Sequence, residues 1–288
     1  MTANILSGKD FLEAEKGRLK IRVDKLKSQN IEPGLGTILV GSDLNSQSYV
    51  RRKHKACEEI GMTSHHIELD DNASQSKVIT AIESMNANPN IHAFIVQLPL
   101  PKQCNEEAAL LAIDPKKDAD GLHPINLGKL VMGVSAPRPC TPVGIQALLV
   151  ENGVSLSGKH VVIIGRGLTI GRPLANLLTL KEENANATVT VVHTGTKDIA
   201  KYTREADVIV AAVGVPDIVT PDMISDGVVL VSAGMTFDEN RVLLPDISDD
   251  CAAKASFMTP RIGGVGPTTI AMLLRNTVDA CAELSSGE

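Results

Sequence analysis

Short runs of β-branched and aliphatic residues recur along this chain, and helical patterns separate them. The runs are GTILVG (36–41), SHHIEL (64–69), HAFIVQLP (92–99), HVVIIG (160–165), ATVTVVHT (187–194), ADVIVAAVG (206–214) and GVVLVSAG (227–234). Helical patterns lie around 8–29, 47–60, 75–86, 105–112, 142–152, 171–181 and 268–284. A strand, a helix and a second strand in succession make a crossover, so this alternation predicts parallel sheets and an α/β class. Aromatic residues make up only 2% of the chain and Trp is absent. The core must therefore be built from Ile, Val, Leu and Ala, a composition suited to buried parallel strands covered by helices.

The strands form two series, and 288 residues are enough for two domains. A Pro- and Gly-rich stretch, GLHPINLGKLVMGVSAPRPCTPVG (121–144), separates the series and ends in Thr141-Pro142, a fitting N-cap and first helical residue. A second glycine-rich break, TPRIGGVGPTT (259–269), precedes the last helix, which could return to the first domain. The expected division is 1–140 plus 267–288 for the first domain and 141–266 for the second.

Composition narrows the function. The net charge is −6 and the basic run at 51–55 is followed at once by Glu58 and Glu59, which argues against a nucleic-acid partner. No apolar run approaches the roughly 18 residues of a membrane helix, and the N-terminus lacks the apolar middle of a signal peptide. The five cysteines are scattered, odd in number and without a CxxC, which points to a reducing cytoplasm. The seven histidines show no ligand spacing, so no metal is expected.

Within SYVRRKHKACEEIGM (48–62), one lysine breaks the pattern. At about 100° per residue, Tyr49, Val50, Ala56, Cys57 and Ile60 fall within one arc of about 120°, and Lys53 lies near its centre. The other charges make a solvated face, with His54 toward the edge. A lysine stem covering apolar surface while its ammonium reaches water would produce this pattern; so would a partly desolvated amine held for chemistry.

The strongest local motif is VVIIGRGLTIGRPLANLL (161–178), a buried strand running through Gly165-x-Gly167-x-x-x-Gly171 into a helix. Glycines let backbone approach a pyrophosphate, and the helix N-terminus offers free N–H groups. The spacing is one residue longer than the usual fingerprint. The following strand ends in His193 and Thr194, where an NAD site carries Asp or Glu. Without that carboxylate, Arg166 can pair with a 2′-phosphate and Thr194 can donate a hydrogen bond, which favours NADP. His193 itself reads as a structural residue at a strand end.

Three more segments carry candidate groups: Gln97 at a strand end before two prolines, Asp118 and Asp120 in DPKKDADGLHPIN (114–126), and the glycine turn IGGVGP (262–267). In order, YVRRK (49–53), VQLPLP (96–101), KDADGLHPINLGKL (117–130), PCTPVG (139–144), GRGLTIGRP (165–173) and GGVGP (263–267) resemble the bifunctional methylenetetrahydrofolate dehydrogenase/methenyltetrahydrofolate cyclohydrolase family, over nearly the whole chain.

That resemblance implies a folate-binding catalytic domain over 1–140 plus 267–288, a Rossmann-like NADP-binding domain over 141–266 with a cleft between them, a homodimer, and two reactions: NADP-dependent oxidation of 5,10-methylenetetrahydrofolate to the methenyl cation, then its hydrolysis to 10-formyltetrahydrofolate. It assigns catalysis to Lys53, with Tyr49 along the substrate, Gln97 tuning the lysine and Asp120 holding the pterin. It adds Val50, Arg51, Arg52, Val96 and Leu98, together with Ile262, Gly263, Gly264, Val265 and Gly266, as substrate contacts. Gly165, Arg166, Gly167, Gly171, Thr194 and Met235 are the implied cofactor contacts. The chain departs from the family pattern at Gly167, at Arg261-Ile262, at Ser232-Ala233-Gly234 and at Pro245-Asp246-Ile247. Two other functions fit the same residues: a two-domain NADP dehydrogenase for a small hydroxy acid, and a non-catalytic NADP-binding regulator.

Overall fold

The computed structural model describes residues 3–234, 236–240 and 242–286. The elements begin with β1 (Asn4–Ile5), α1 (Gly8–Lys27), β2 (Gly34–Val40), α2 (Leu44–Ile60), β3 (Thr63–Leu69), α3 (Gln75–Ala87), β4 (Ala93–Val96), α4 (Glu106–Ala112), α5 (Pro124–Met132) and α6 (Cys140–Glu151). They continue with β5 (His160–Ile164), α7 (Gly171–Leu178), β6 (Thr188–Val192), α8 (Ala200–Thr203), β7 (Val208–Ala211), β8 (Val229–Ser232), β9 (Thr236–Phe237), β10 (Leu243–Leu244), β11 (Phe257–Met258) and α9 (Val265–Ser286).

Contacts divide the chain into two compact units. The lysine unit is Glu13–Cys140 with Ile270–Glu288, and the glycine-loop unit is Met1–Leu12 with Thr141–Thr269. The expected first domain, starting at residue 1, is corrected at its N-terminus. There β1 pairs in parallel with β11, Asn4 opposite Phe257 and Ile5 opposite Met258, so this segment belongs to the glycine-loop unit. A two-residue strand is too short to show a period.

The lysine unit holds a parallel sheet in the order β3-β2-β4. All seven positions of β2 are buried, as expected for a central strand covered on both faces. Ile38 and Phe94 pack with Val78, Ile82 and Met85 of α3 in the core. The fourth strand ends at Val96, short of the expected residue 99. Gln97 N donates to Ile38 O (2.8 Å) as the last rung, and Pro99 and Pro101 have no N–H to continue the ladder. The 121–144 stretch contains a helix, α5, that composition concealed. Pro124 occupies its first turn, His123 Nδ1 accepts from Ile125 N (3.1 Å), and Gly133 ends it at φ 68°. The residues that read as a linker are the start and stop signals of a helix.

The glycine-loop unit holds a six-stranded sheet, β1-β11-β8-β7-β5-β6, parallel throughout. Its core includes Val162, Ile164, Ile209 and Leu230. The chain leaves β5 for β6 on one side and returns for β7 on the other. Ligands bind at such a reversal, beyond the carboxyl ends of the strands. In the lysine unit β2 has the same position between β3 and β4, and Gln97 lies just beyond the end of β4.

Candidate active site

The face of α2 read from periodicity is the buried one: Val50, Ala56, Cys57 and Ile60 are all under 5% exposed, and Lys53 is 2% exposed. Asp43 caps the helix by accepting from Ser46 N (2.8 Å), and Gly61 ends it at φ 81°. Lys53 Nζ donates to Gln97 Oε1 (3.2 Å) and lies 4.5 Å from the centre of the Tyr49 ring. Gln97 Nε2 donates to Leu98 O (2.8 Å), which orients the amide so that its oxygen faces the lysine. Val50 and Val96 are buried beside this group, and Leu98 is partly buried. Arg52 is exposed and stacks on Tyr49, its Cζ 5.2 Å from the ring centre. Arg51 is exposed and lies about 160° around the helix from Lys53.

The two loop aspartates have different roles. Asp118 is buried, and its carboxylate accepts from Gly121 N (3.0 Å), His123 N (2.8 Å) and Asn126 Nδ2 (2.9 Å). It braces the loop. Asp120 stands outside that network and is partly exposed. Gly121 makes the turn at φ 71°, where a Cβ would fall 2.3 Å from the Arg138 carbonyl carbon. Cys140 N donates to Asp120 O (3.1 Å), and Asn276 Nδ2 donates to Ala119 O (2.9 Å) and Arg138 O (3.0 Å).

Burial holds the Lys53 amine below its ordinary pKa, against the pull of the Asp120 carboxylate and, more weakly, of Cys140 and Cys57. Burial raises Asp120, opposed by Lys53 and reinforced by Asp118. The site therefore holds an amine biased toward its neutral form beside a carboxyl group biased toward protonation. Burial also pushes the Cys57 thiol up to about 12 and Cys140 well above the usual thiol value, so neither is a thiolate nucleophile at neutral pH.

In the glycine-loop unit, Gly165 has φ 116°, and a Cβ there would fall 2.6 Å from Ala212 O; one on Gly171 would fall 2.2 Å from Gly165 O. Both glycines are required by close backbone. Gly167 has open space where its Cβ would be. Helix α7 begins without a side-chain cap, which leaves N–H groups at its start for an anion.

Exposed Arg166 brings Nη1 to 3.5 Å from His193 Nε2. His193 Nδ1 accepts from Gly195 N (3.0 Å), so the ring proton belongs on Nε2. Two donors then point into one place, and such a pair is satisfied by a shared anionic acceptor. Thr194 is exposed; it is Thr196 whose hydroxyl accepts from His193 N (3.0 Å) and shapes the turn. Met235 lies outside the described residues.

Ile262, Gly263, Gly264, Val265 and Gly266 belong to the glycine-loop unit. Ile262 is 69% exposed and Gly263 turns at φ 85°. Val265 is buried and, with Gly266, forms the first turn of α9. The expected turn over 262–267 is thus shorter, and the last helix starts earlier than 268.

Residues 6–120 match the catalytic domain, and residues 139–285 the NAD(P)-binding domain, of the tetrahydrofolate dehydrogenase/cyclohydrolase family. The chain belongs to this family. It is 50% identical over 283 residues to the bifunctional protein FolD of Syntrophotalea carbinolica, covering 98% of this chain and 97% of that one. Its fold matches the crystal structure of the FolD methylenetetrahydrofolate dehydrogenase/cyclohydrolase of Campylobacter jejuni with a TM-score of 0.94 at 41% identity, over 98% of this chain and 99% of that one. The Trypanosoma brucei enzyme, crystallised with NADP cofactor and inhibitor, matches with a TM-score of 0.93 at 36% identity, over 99% of each chain.

Sequence reasoning passed over Asp118 as a brace, Asn276 and the Arg166–His193 pairing. Each joins positions whose meeting no local pattern announces, although Asp118 lies within the KDADGLHPINLGKL motif. Among the described residues no group of His, Cys, Asp and Glu is placed to hold a metal ion, and no helix is long and apolar enough to cross a membrane.

Proposed function

We propose that this family member oxidises 5,10-methylenetetrahydrofolate with NADP and hydrolyses the methenyl product to 10-formyltetrahydrofolate, with Lys53 as the residue that manages protons in hydrolysis. The observation that carries the assignment is the buried Lys53 amine on Gln97 Oε1, electrostatically coupled to Asp120.

NADP fits the residues present. The close-backbone glycines Gly165 and Gly171 leave room for a pyrophosphate at the start of α7, and Arg166 with His193 presents two donors to a 2′-phosphate. When bound, the cofactor supplies a hydride acceptor for the methylene carbon. The chain's own residues do the rest. Tyr49 offers an aromatic face beside Lys53. Asp120 accepts N–H donors of the pterin. A neutral Lys53 takes a proton from water as its oxygen bonds to the methenyl carbon. The ammonium so formed then protonates the folate nitrogen as its bond to that carbon breaks, while the hydroxyl on the carbon releases its remaining proton to solvent and becomes the carbonyl of the formyl group left on the other nitrogen. Gln97 Oε1 stabilises the ammonium and holds the amine in place between the two transfers.

A binding-only regulator would gain nothing from a desolvated amine, which costs stability. The test is one assay with 5,10-methylenetetrahydrofolate and NADP that follows NADPH, methenyl-folate and 10-formyl-folate separately. NADPH and 10-formyl product formed above the uncatalysed rate are expected. NADP binding without turnover would overturn the reading. A homodimer in the cytoplasm is the assembly and location that accompany this proposal, and sedimentation of the purified chain tests the first.

A further inference from the structure

Thr37 lies on β2 and is completely buried, yet it is polar. Its hydroxyl oxygen is 2.9 Å from His54 Nε2 and 2.8 Å from His66 Nδ1. His66 is directly opposite it on β3. The two imidazole rings meet edge to face with centroids 5.2 Å apart. His54 directly follows Lys53 in α2. The next residue on β2, Ile38, accepts the backbone hydrogen bond of Gln97 (2.8 Å). Both ends of the Lys53–Gln97 hydrogen bond therefore trace back to two consecutive residues of one strand.

We propose that His54 is a positioning residue: through Thr37, and with His66 bracing the same hydroxyl, it locks the turn of α2 that carries Lys53 onto the strand that holds Gln97. The proposal rests on Lys53 serving the hydrolytic step. A hydroxyl has one proton, so Thr37 donates to one ring and accepts from the other. With His54 as the acceptor at Nε2 and His66 donating from Nδ1, both hydrogen bonds of the hydroxyl are satisfied. Protonation of His54 breaks the lock: both rings then donate, and the Thr37 proton loses its acceptor.

The charged and titratable groups around His54 are Lys53 and Glu58 on its own helix and His66, with Glu68 behind it (4.0 Å), on β3; β2 presents the neutral Thr37. Burial, then His66, hold His54 below the ordinary histidine value, with Glu58 opposing and Lys53 adding to the effect. The lock is thus closed at neutral pH. Its contribution to stability is complete above the unfolded value of about 6.5 and declines as pH falls toward the lower folded value.

The test is the rate of methenyl-folate hydrolysis between about pH 5 and 9 for the wild type, H54L and H54Q, with NADP affinity measured in parallel. H54L should lower kcat on the order of tenfold with a smaller change in KM. H54Q, whose amide oxygen can accept from Thr37, should recover most of that loss. The wild type should lose activity on the acid side through two protons and H54Q through one, with NADP affinity the same in all three. A wild-type kcat and acid limb in H54L would overturn the proposal. If H54L does not fold, the H54Q profile decides, and an acid limb identical to wild type overturns it. A wild type without hydrolysis would remove the underlying reading and this proposal together, an outcome distinct from active wild type with indifferent variants.

Discussion

The lysine site is made of side chains held by other side chains, whereas the glycine loop is made of backbone from which side chains have been removed. Lys53 and Tyr49 come from α2, Gln97 from the end of β4 and Asp120 from a loop, so three separate elements set the site. Gly165, Gly171 and the start of α7 are one continuous segment, and their geometry follows from local chain direction. A site of the first kind should be sensitive to distant braces and tolerant of little. A site of the second kind should fail where a Cβ meets backbone and tolerate change elsewhere.

The sharpest test of that contrast is Lys53→Met. It should reduce hydrolysis by about 1,000-fold or more and at the same time stabilise the fold by about 1–3 kcal/mol, read by denaturant titration. The sign follows from the lowered Lys53 pKa. Below the folded value the charged amine must be buried, so its cost is complete at that end and falls away as pH approaches the ordinary lysine value of about 10.4. The stability gain should therefore be larger at neutral pH than in alkali. Retained hydrolysis would end the assignment of Lys53.

Asp118→Ala comes next. Three donors lose their acceptor inside the loop, which should cost about 2–4 kcal/mol and reduce hydrolysis by displacing Asp120, with NADP affinity unchanged. A variant that is destabilised but fully active would show that the brace does not set Asp120. Arg166→Ala should weaken NADP by about 10- to 100-fold and NAD by less than about threefold; His193→Ala should follow the same pattern more weakly. Equal losses for the two cofactors would mean that neither residue reads the 2′-phosphate. The smallest effect belongs to Gly167→Ser, where a side chain enters open space: stability should change by less than about 0.5 kcal/mol, and NADP affinity should hold or improve. Gly171→Ala, one turn away, should disable cofactor binding, since its Cβ would collide with Gly165 O.

The α/β class, the buried face of α2 with a lysine in its middle and the strand–glycine–helix unit are all legible in the order of residues. These depend on properties that act within a few positions: period, β-branching and the freedom of glycine. The family resemblance names the site residues as a set. What the residues alone leave open is resolved by contacts across long stretches of chain. Asp118 and Asp120 look alike in the sequence, and only the fold decides which one meets three N–H groups. His193 reads as a structural strand-end residue until Gly195 fixes its proton and Arg166 comes beside it. Residues 3–12 leave the expected first domain because β11, about 250 positions later, offers β1 a strand edge. The sequence by itself determined which surfaces must be buried and where backbone must bend, because those demands are local. The tertiary structure decided which polar groups find partners, because a hydrogen bond requires an approach within about 3 Å that no pattern in one segment can specify.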